Sequence, residues 1–197
     1  MTDTTAHAID VQAIASDVPD LLGDLRSDHA GETGAVMIYR GILAVARDPE
    51  LRAFASAHME TEARHLDLLN ELLPPREHSR LLPIWRVAGF LTGFLPALFG
   101  GSRAVYATID AVETFVDTHY EDQIRKLPAD GRGGALRAVL MECQADEVHH
   151  RDERPVPRRR ATWGSSLRRG RGLSEPGARR PSRRPGAFDL RTTVDRI

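Results

Sequence analysis

Two glutamates in this chain sit three residues ahead of a histidine, in Glu62-Ala-Arg-His65 and Glu147-Val-His-His150. On a helix, residues i and i+3 share a face, so each pair can present a carboxylate and an imidazole to one metal ion. Two further glutamates, Glu32 and Glu113, precede these pairs by 30 and 34 residues. Four carboxylates would bring four negative charges together, which two divalent ions would neutralise. Hard carboxylates with imidazole suit iron or manganese, and the absence of thiolates argues against a structural zinc site. One such pair alone carries little weight. Two pairs, each preceded at near-equal distance by another glutamate, look like two related helical hairpins.

Four segments show the 3.6-residue periodicity needed to position these groups. The first runs roughly from Val18 to Arg47, the second from Pro49 to Leu73, the third from Ser102 to Leu127, and the fourth from Gly134 past His150. Pro49 suits a first helical turn, and Pro74-Pro75 and Pro128 supply stops. In the second segment Leu51, Phe54, His58, Glu62, His65, Leu69 and Leu73 follow one stripe, so Glu62 and His65 lie where an unpaired carboxylate would be expensive. Leu136, Leu140 and Cys143 lead to Glu147 and His150 in the same way. Leu25, Glu32, Val36 and Tyr39 share a face of the first segment, and Tyr106, Ile109, Glu113, Val116, Tyr120 and Ile124 a face of the third. His58 is read as a core histidine or a neighbour of the metal ligands, and His119 and Tyr120 as packing or substrate-side groups. His7 and His78 are read as surface residues, and Cys143 as a small core residue.

Between the hairpins, residues 81–101 read "LLPIWRVAGFLTGFLPALFGG" and carry one charge, Arg86. A spanning helix needs about 20 apolar residues. Pro83, Gly89, Gly93 and Pro96 favour a segment docked in the plane of a membrane, with Trp85 near the headgroups. A buried core helix is the alternative.

Charge is uneven. Residues 151–197 hold 14 arginines and 5 acids, a net of +9, in a chain whose overall charge is −1, so the body is acidic. The tail, 154–197, lacks apolar periodicity and is expected to be disordered. Its abrupt Arg/Pro/Gly/Ser composition suggests a reading-frame shift near codon 153; a basic arm for anionic lipid or nucleic acid is the weaker reading, and no nucleic-acid partner is expected. The single cysteine, Cys143, excludes a disulfide framework and fits a reducing compartment. Residues 1–17 lack a secretory pattern and are expected to be a flexible N-terminus.

The fold expected is all-α, a ferritin-like four-helix bundle over residues 18–153 with an apolar membrane-docking helix between the hairpins. One glutamate from each of two helices and a Glu-x-x-His from each of the others is the ligand set of di-iron carboxylate bundles. The stretches "DHAGETGA" (28–35), "EARH" (62–65), "AVETFVDTHYEDQI" (111–124) and "DEVHH" (146–150) make the resemblance more specific. Over roughly residues 20–152 the chain resembles the demethoxyubiquinone hydroxylase family of ubiquinone biosynthesis.

That resemblance implies a di-iron monooxygenase that hydroxylates a polyprenylated demethoxybenzoquinone. Its cofactors would be two irons per chain, with dioxygen as co-substrate and NADH or a redox partner as reductant. It implies Glu32 and His65 as terminal ligands of one iron, Glu113 and His150 of the other, and Glu62 and Glu147 as bridges. Asp146–His149 repeats the spacing one residue earlier; Glu147–His150 matches the family glutamate and continues the Leu140–Cys143 stripe. A peripheral position on the cytoplasmic face of a bacterial-type inner membrane follows, beside other ubiquinone-biosynthesis proteins. Two alternatives stay open: a ferritin-like ferroxidase, and an impaired quinone-binding homologue whose fourth helix is halted by Pro155 and Pro157.

Overall fold

The computed structural model describes residues 9–152, and side chains to residue 150. Pro155, Pro157, the basic tail and His7 lie outside the described residues. Six α-helices and no strand occur among the described residues: α1 (Val11–Ala15), α2 (Leu21–Val45), α3 (Pro49–Leu72), α4 (Leu82–Phe99), α5 (Gly101–Lys126) and α6 (Gly131–Asp152). The fold is an all-α bundle in which α2 with α3, and α5 with α6, form the two hairpins.

Local chemistry sets the boundaries. Asp48 accepts a hydrogen bond from the Glu50 N–H, and Pro49 occupies the first turn, where its missing N–H costs nothing. Gly101, at φ +62°, lets the chain turn directly from α4 into α5, and Gly131, at φ +67°, opens α6. α1 is a departure from expectation. Its Val11 and Ile14 are buried with Leu21, Leu25 and Leu136, so order begins ahead of residue 18. Asp10 caps this helix by accepting from the Ala13 N–H.

Two apolar clusters fill the bundle. One joins Leu25, Leu69, Tyr120, Leu136 and Leu140; the other joins Ile38, Ile42, Leu51, Phe54, Val105 and Ile109. Along α2, α3 and α5 the glutamates fall between residues of the first cluster and residues of the second. The apolar stripes therefore close over the polar belt from both ends. Among the described residues the second cluster takes no residue from α6; it draws chiefly on α2, α3 and α5, with Ala97 of α4 packed against it. α6 thus holds its site residues in its last described turns, braced chiefly from its N-terminal side.

The segment of residues 81–101 is one helix through Pro96. Glycines account for its seating on α2. A Cβ on Gly89 would strike the backbone of Gly34, one on Gly93 the carbonyl of Ile38, and one on Gly41 the backbone of Phe90 and Phe94. The outer face is a different surface: Ile84, Val87, Leu91, Leu95 and Leu98 form one exposed stripe, and Phe99 is 81 % exposed. The helix is long and apolar enough to cross a membrane by length and composition, yet one face is committed to α2. It is not a buried core helix.

Candidate metal centre

All six ligand candidates meet. Glu32, Glu62, His65, Glu113, Glu147 and His150 are each at most 5 % exposed, in a chain where such residues are usually solvated. Donor atoms of Glu32, Glu62, His65 and Glu147 lie within 4.8 Å of one another, and so do those of Glu62, Glu113, Glu147 and His150. Glu62 and Glu147 belong to both groups and the other four to one each. The register of the last pair is visible too: Glu147 and His150 point into the cluster, whereas Asp146 is half-buried and His149 exposed.

Asp146 has a different part. Its Oδ2 lies 3.1 Å from His65 Nε2, leaving His65 Nδ1 facing Glu147 Oε1 at 3.3 Å and Glu32 and Glu62 at 3.8 Å. A carboxylate behind an imidazole sets ring orientation and raises ligand basicity at metal sites. Two tyrosines orient carboxylates in the same manner. Tyr120 donates to Glu32 Oε1 at 2.7 Å, and Tyr39 donates to Glu113 Oε1 at 3.0 Å. The expectation for Tyr120 was divided between packing and a role beside the site; it does both. Tyr39 was legible only as a residue sharing the face of Glu32.

The electrostatics of the cluster bear on whether cations fit. Burial, then the neighbouring Glu147 carboxylate, lifts Glu32 to about 7 and Glu113 to about 9, and pushes Glu62 up for the same reasons. Burial alone would depress His65, but the Glu147, Glu32 and Asp146 carboxylates hold it up at about 9. His65 Nδ1, Glu113 Oε2 and Glu147 Oε1 are buried with no hydrogen-bond partner. Four carboxylates so crowded resist ionising together unless cations share the space. The donor set therefore fits a pair of divalent ions, and its oxygen-rich character fits iron or manganese.

The carboxylate side of the cluster opens into a cavity of about 850 Å³ between α2, α4 and α5, lined by Glu32, Glu62, Glu113 and Glu147. Apolar and small residues make most of its wall, including Gly34, Ala35, Ile38, Gly89 and Val112. Trp85, which packs over Gly34, and Phe115, 72 % exposed, stand where the cavity meets the outer surface. His119 also lines it, 3.1 Å from Asp28 Oδ1, and Gln123 donates to the same oxygen at 2.6 Å. His78 is not a free surface residue: its ring stacks on His29 at 3.9 Å, and its Nε2 meets the Leu73 carbonyl. Cys143 is buried in the first apolar cluster, and burial pushes its thiol well above the ordinary range, away from useful reactivity.

The family model described as "Ubiquinone biosynthesis protein COQ7" matches residues 21–155, a stretch that takes in all six donors and the cavity. The chain belongs to the COQ7 family. Among curated COQ7-type relatives, an NADPH-dependent 3-demethoxyubiquinone 3-hydroxylase, mitochondrial, of Dictyostelium discoideum is 39 % identical over 132 residues, 64 % of this chain and 59 % of the relative. The corresponding Caenorhabditis elegans protein is 35 % identical over 132 residues, 65 % of this chain and 70 % of its own. The 3-demethoxyubiquinol 3-hydroxylase of Rhodospirillum rubrum is 38 % identical over 131 residues, 65 % of this chain and 60 % of the relative. The chain thus matches about three-fifths of the length of the first and third of these COQ7 relatives.

Proposed function

We propose that this chain is a di-iron hydroxylase that adds one hydroxyl to the ring of a polyprenylated demethoxyubiquinol in ubiquinone biosynthesis. The observation that carries the reading is a buried cluster of four carboxylates and two imidazoles opening into an apolar cavity that reaches the exposed face of α4. Glu32 and His65 would hold one iron, Glu113 and His150 the other, and Glu62 and Glu147 both. When bound, the ferrous pair supplies activation of dioxygen. One oxygen atom enters the ring, the other leaves as water, and two electrons come from a reductant. The names of the mitochondrial relatives point to NADPH; NADH or a redox partner would serve the same balance.

The chain's own residues do the rest. Tyr120 and Tyr39 hold Glu32 and Glu113 in place, and Asp146 holds the His65 ring with Nδ1 inward. The wall of the cavity excludes water and accepts a flat ring, while a volume of about 850 Å³ leaves space for the first part of a prenyl tail. The exposed stripe of α4 would lie in the membrane surface, so that a ring enters between Trp85 and Phe115 without its tail leaving the lipid. Such a chain would be a peripheral protein of the inner-membrane surface, on the cytoplasmic side in a bacterium, within reach of other enzymes of the pathway.

The test is a reconstituted assay: iron-loaded protein, demethoxyubiquinol in liposomes, NADPH or NADH, and ¹⁸O₂. A product heavier by one ¹⁸O-hydroxyl, dependent on iron and reductant, is the expected result. Oxidation of excess ferrous iron with no labelled quinol would instead favour a ferroxidase, and bound quinol without turnover an impaired homologue.

A further inference from the structure

His58 lies in the same buried cluster and none of the roles above uses it. It is 2 % exposed, and its donor atom lies within 4.8 Å of those of Glu113 and His150, forming a third group able to hold a metal ion. We infer that His58 is a third histidine ligand, adding a second imidazole to the iron held by Glu113 and His150 and making the two irons inequivalent. The inference rests on the di-iron reading and concerns how this chain builds that site.

Helix geometry places the residue. His58, Glu62 and His65 stand at i, i+4 and i+7 of α3, one face over two turns. At a rise of about 1.5 Å per residue, His58 and His65 fall on opposite sides of Glu62 along the axis. His65 groups with Glu32, and His58 with Glu113 and His150, while Glu62 belongs to both halves. One helix therefore delivers an imidazole to each end of the pair.

The surroundings of the ring fit a ligand. The His58 ring meets Phe54 at 4.0 Å and Tyr39 at 5.8 Å between centroids, and His150 at 4.1 Å. Phe54 and Tyr39 wall the ring with aromatic faces, and Tyr39 is itself fixed by its hydrogen bond to Glu113. Of the donors in the cluster, the cavity lining takes in the four glutamates and none of His58, His65 and His150. An added imidazole would therefore fill a position on the closed side and leave the cavity side for dioxygen and ring.

The other hairpin has no counterpart. Four residues before Glu147, where His58 would have its equivalent, stands Cys143, which packs with Leu136 and Leu140 and joins no ligand group among the described residues. The Glu32–His65 end has one imidazole within reach and the Glu113–His150 end has two.

The experiment is Mössbauer spectroscopy of the full chain loaded anaerobically with two ⁵⁷Fe(II), beside His58→Phe, with pulsed EPR of the cryoreduced mixed-valence state of ¹⁵N-histidine-labelled wild type. Expected are two ferrous doublets of equal area in wild type, only one of which moves in His58→Phe. Three directly coordinated nitrogens are expected in the EPR, and about tenfold or greater weakening of one iron against a chelator in the variant. Two coordinated nitrogens in wild type overturn the inference while leaving the di-iron centre intact, and they do so even if the variant fails to fold. Doublets unchanged in a folded His58→Phe overturn it equally. Wild type that takes up no iron overturns the metal centre and this ligand together.

Discussion

At the scale of single residues, position relative to the cluster sorts acids and histidines that look alike in sequence. Asp146 and Glu147 are adjacent, yet one backs His65 and the other is grouped with five further donors. Asp146→Asn keeps the shape of the side chain but weakens its hold on His65. Loss of such a backing group typically lowers metal affinity about 10- to 100-fold, and the variant should show that loss in a chelator competition while its helical signal stays intact. Glu62→Ala removes a donor common to both halves, so bound iron should fall from about two per chain to below one by elemental analysis. His29 offers a pH test away from the ligands. It is buried beside Asn70 and His78, and burial lowers its pKa below the ordinary 6.5. The unfolded chain then takes up a proton at His29 before the folded one does. Its contribution to stability is full above pH about 6.5 and is lost as pH falls toward the lower folded value. Urea titrations of the apoprotein between pH 7 and 5 should show a steeper loss for wild type than for His29→Gln.

Among the elements, α4 has two faces with separate tasks. Its glycines let it lie against α2, and its outer stripe is free of that packing. Gly93→Leu forces a side chain into the Ile38 carbonyl. Overpacking of this kind costs about 1–3 kcal/mol, and about 2–4 °C of melting temperature is lost per kcal/mol in a domain of this size. Val87→Asp with Leu91→Asp should act the other way, leaving the melting temperature near wild type while liposome flotation is lost. If the double variant still floats, α4 is not the docking element.

For the molecule as a whole, the donor cluster joins the two hairpins, since each half of the set takes residues from both. A ligand that binds only the folded state stabilises it by about 2.7 kcal/mol at a hundredfold excess over its dissociation constant. Removing iron should therefore lower the melting temperature by several degrees, and restoring ferrous iron should recover it. The weight falls most on α6, because Glu147 and His150 occupy its last described turns and the second apolar cluster receives no α6 residue among those described. Apoprotein hydrogen exchange should accordingly be fastest in the second half of α6 and slow on iron loading.

The bundle and the six residues that cluster within it were legible in the sequence because helical periodicity and donor spacing are local properties. Glu62–His65 and Glu147–His150 declare themselves within one turn, and the stripes around Glu32 and Glu113 say which way those glutamates point. What lies behind and beside the ligands depends on neighbours far along the chain. Tyr39 meets Glu113 from 74 residues away, Asp146 meets His65 from 81, and Tyr120 meets Glu32 from 88. The same holds for α1, whose five residues are too few to read as a helix until Val11 and Ile14 find Leu25 and Leu136. Gly89 and Gly93 read in sequence as weakening a membrane span; the crossing of α2 and α4 makes them points of closest approach to Gly34 and Ile38, because only tertiary packing decides which backbone a missing Cβ admits.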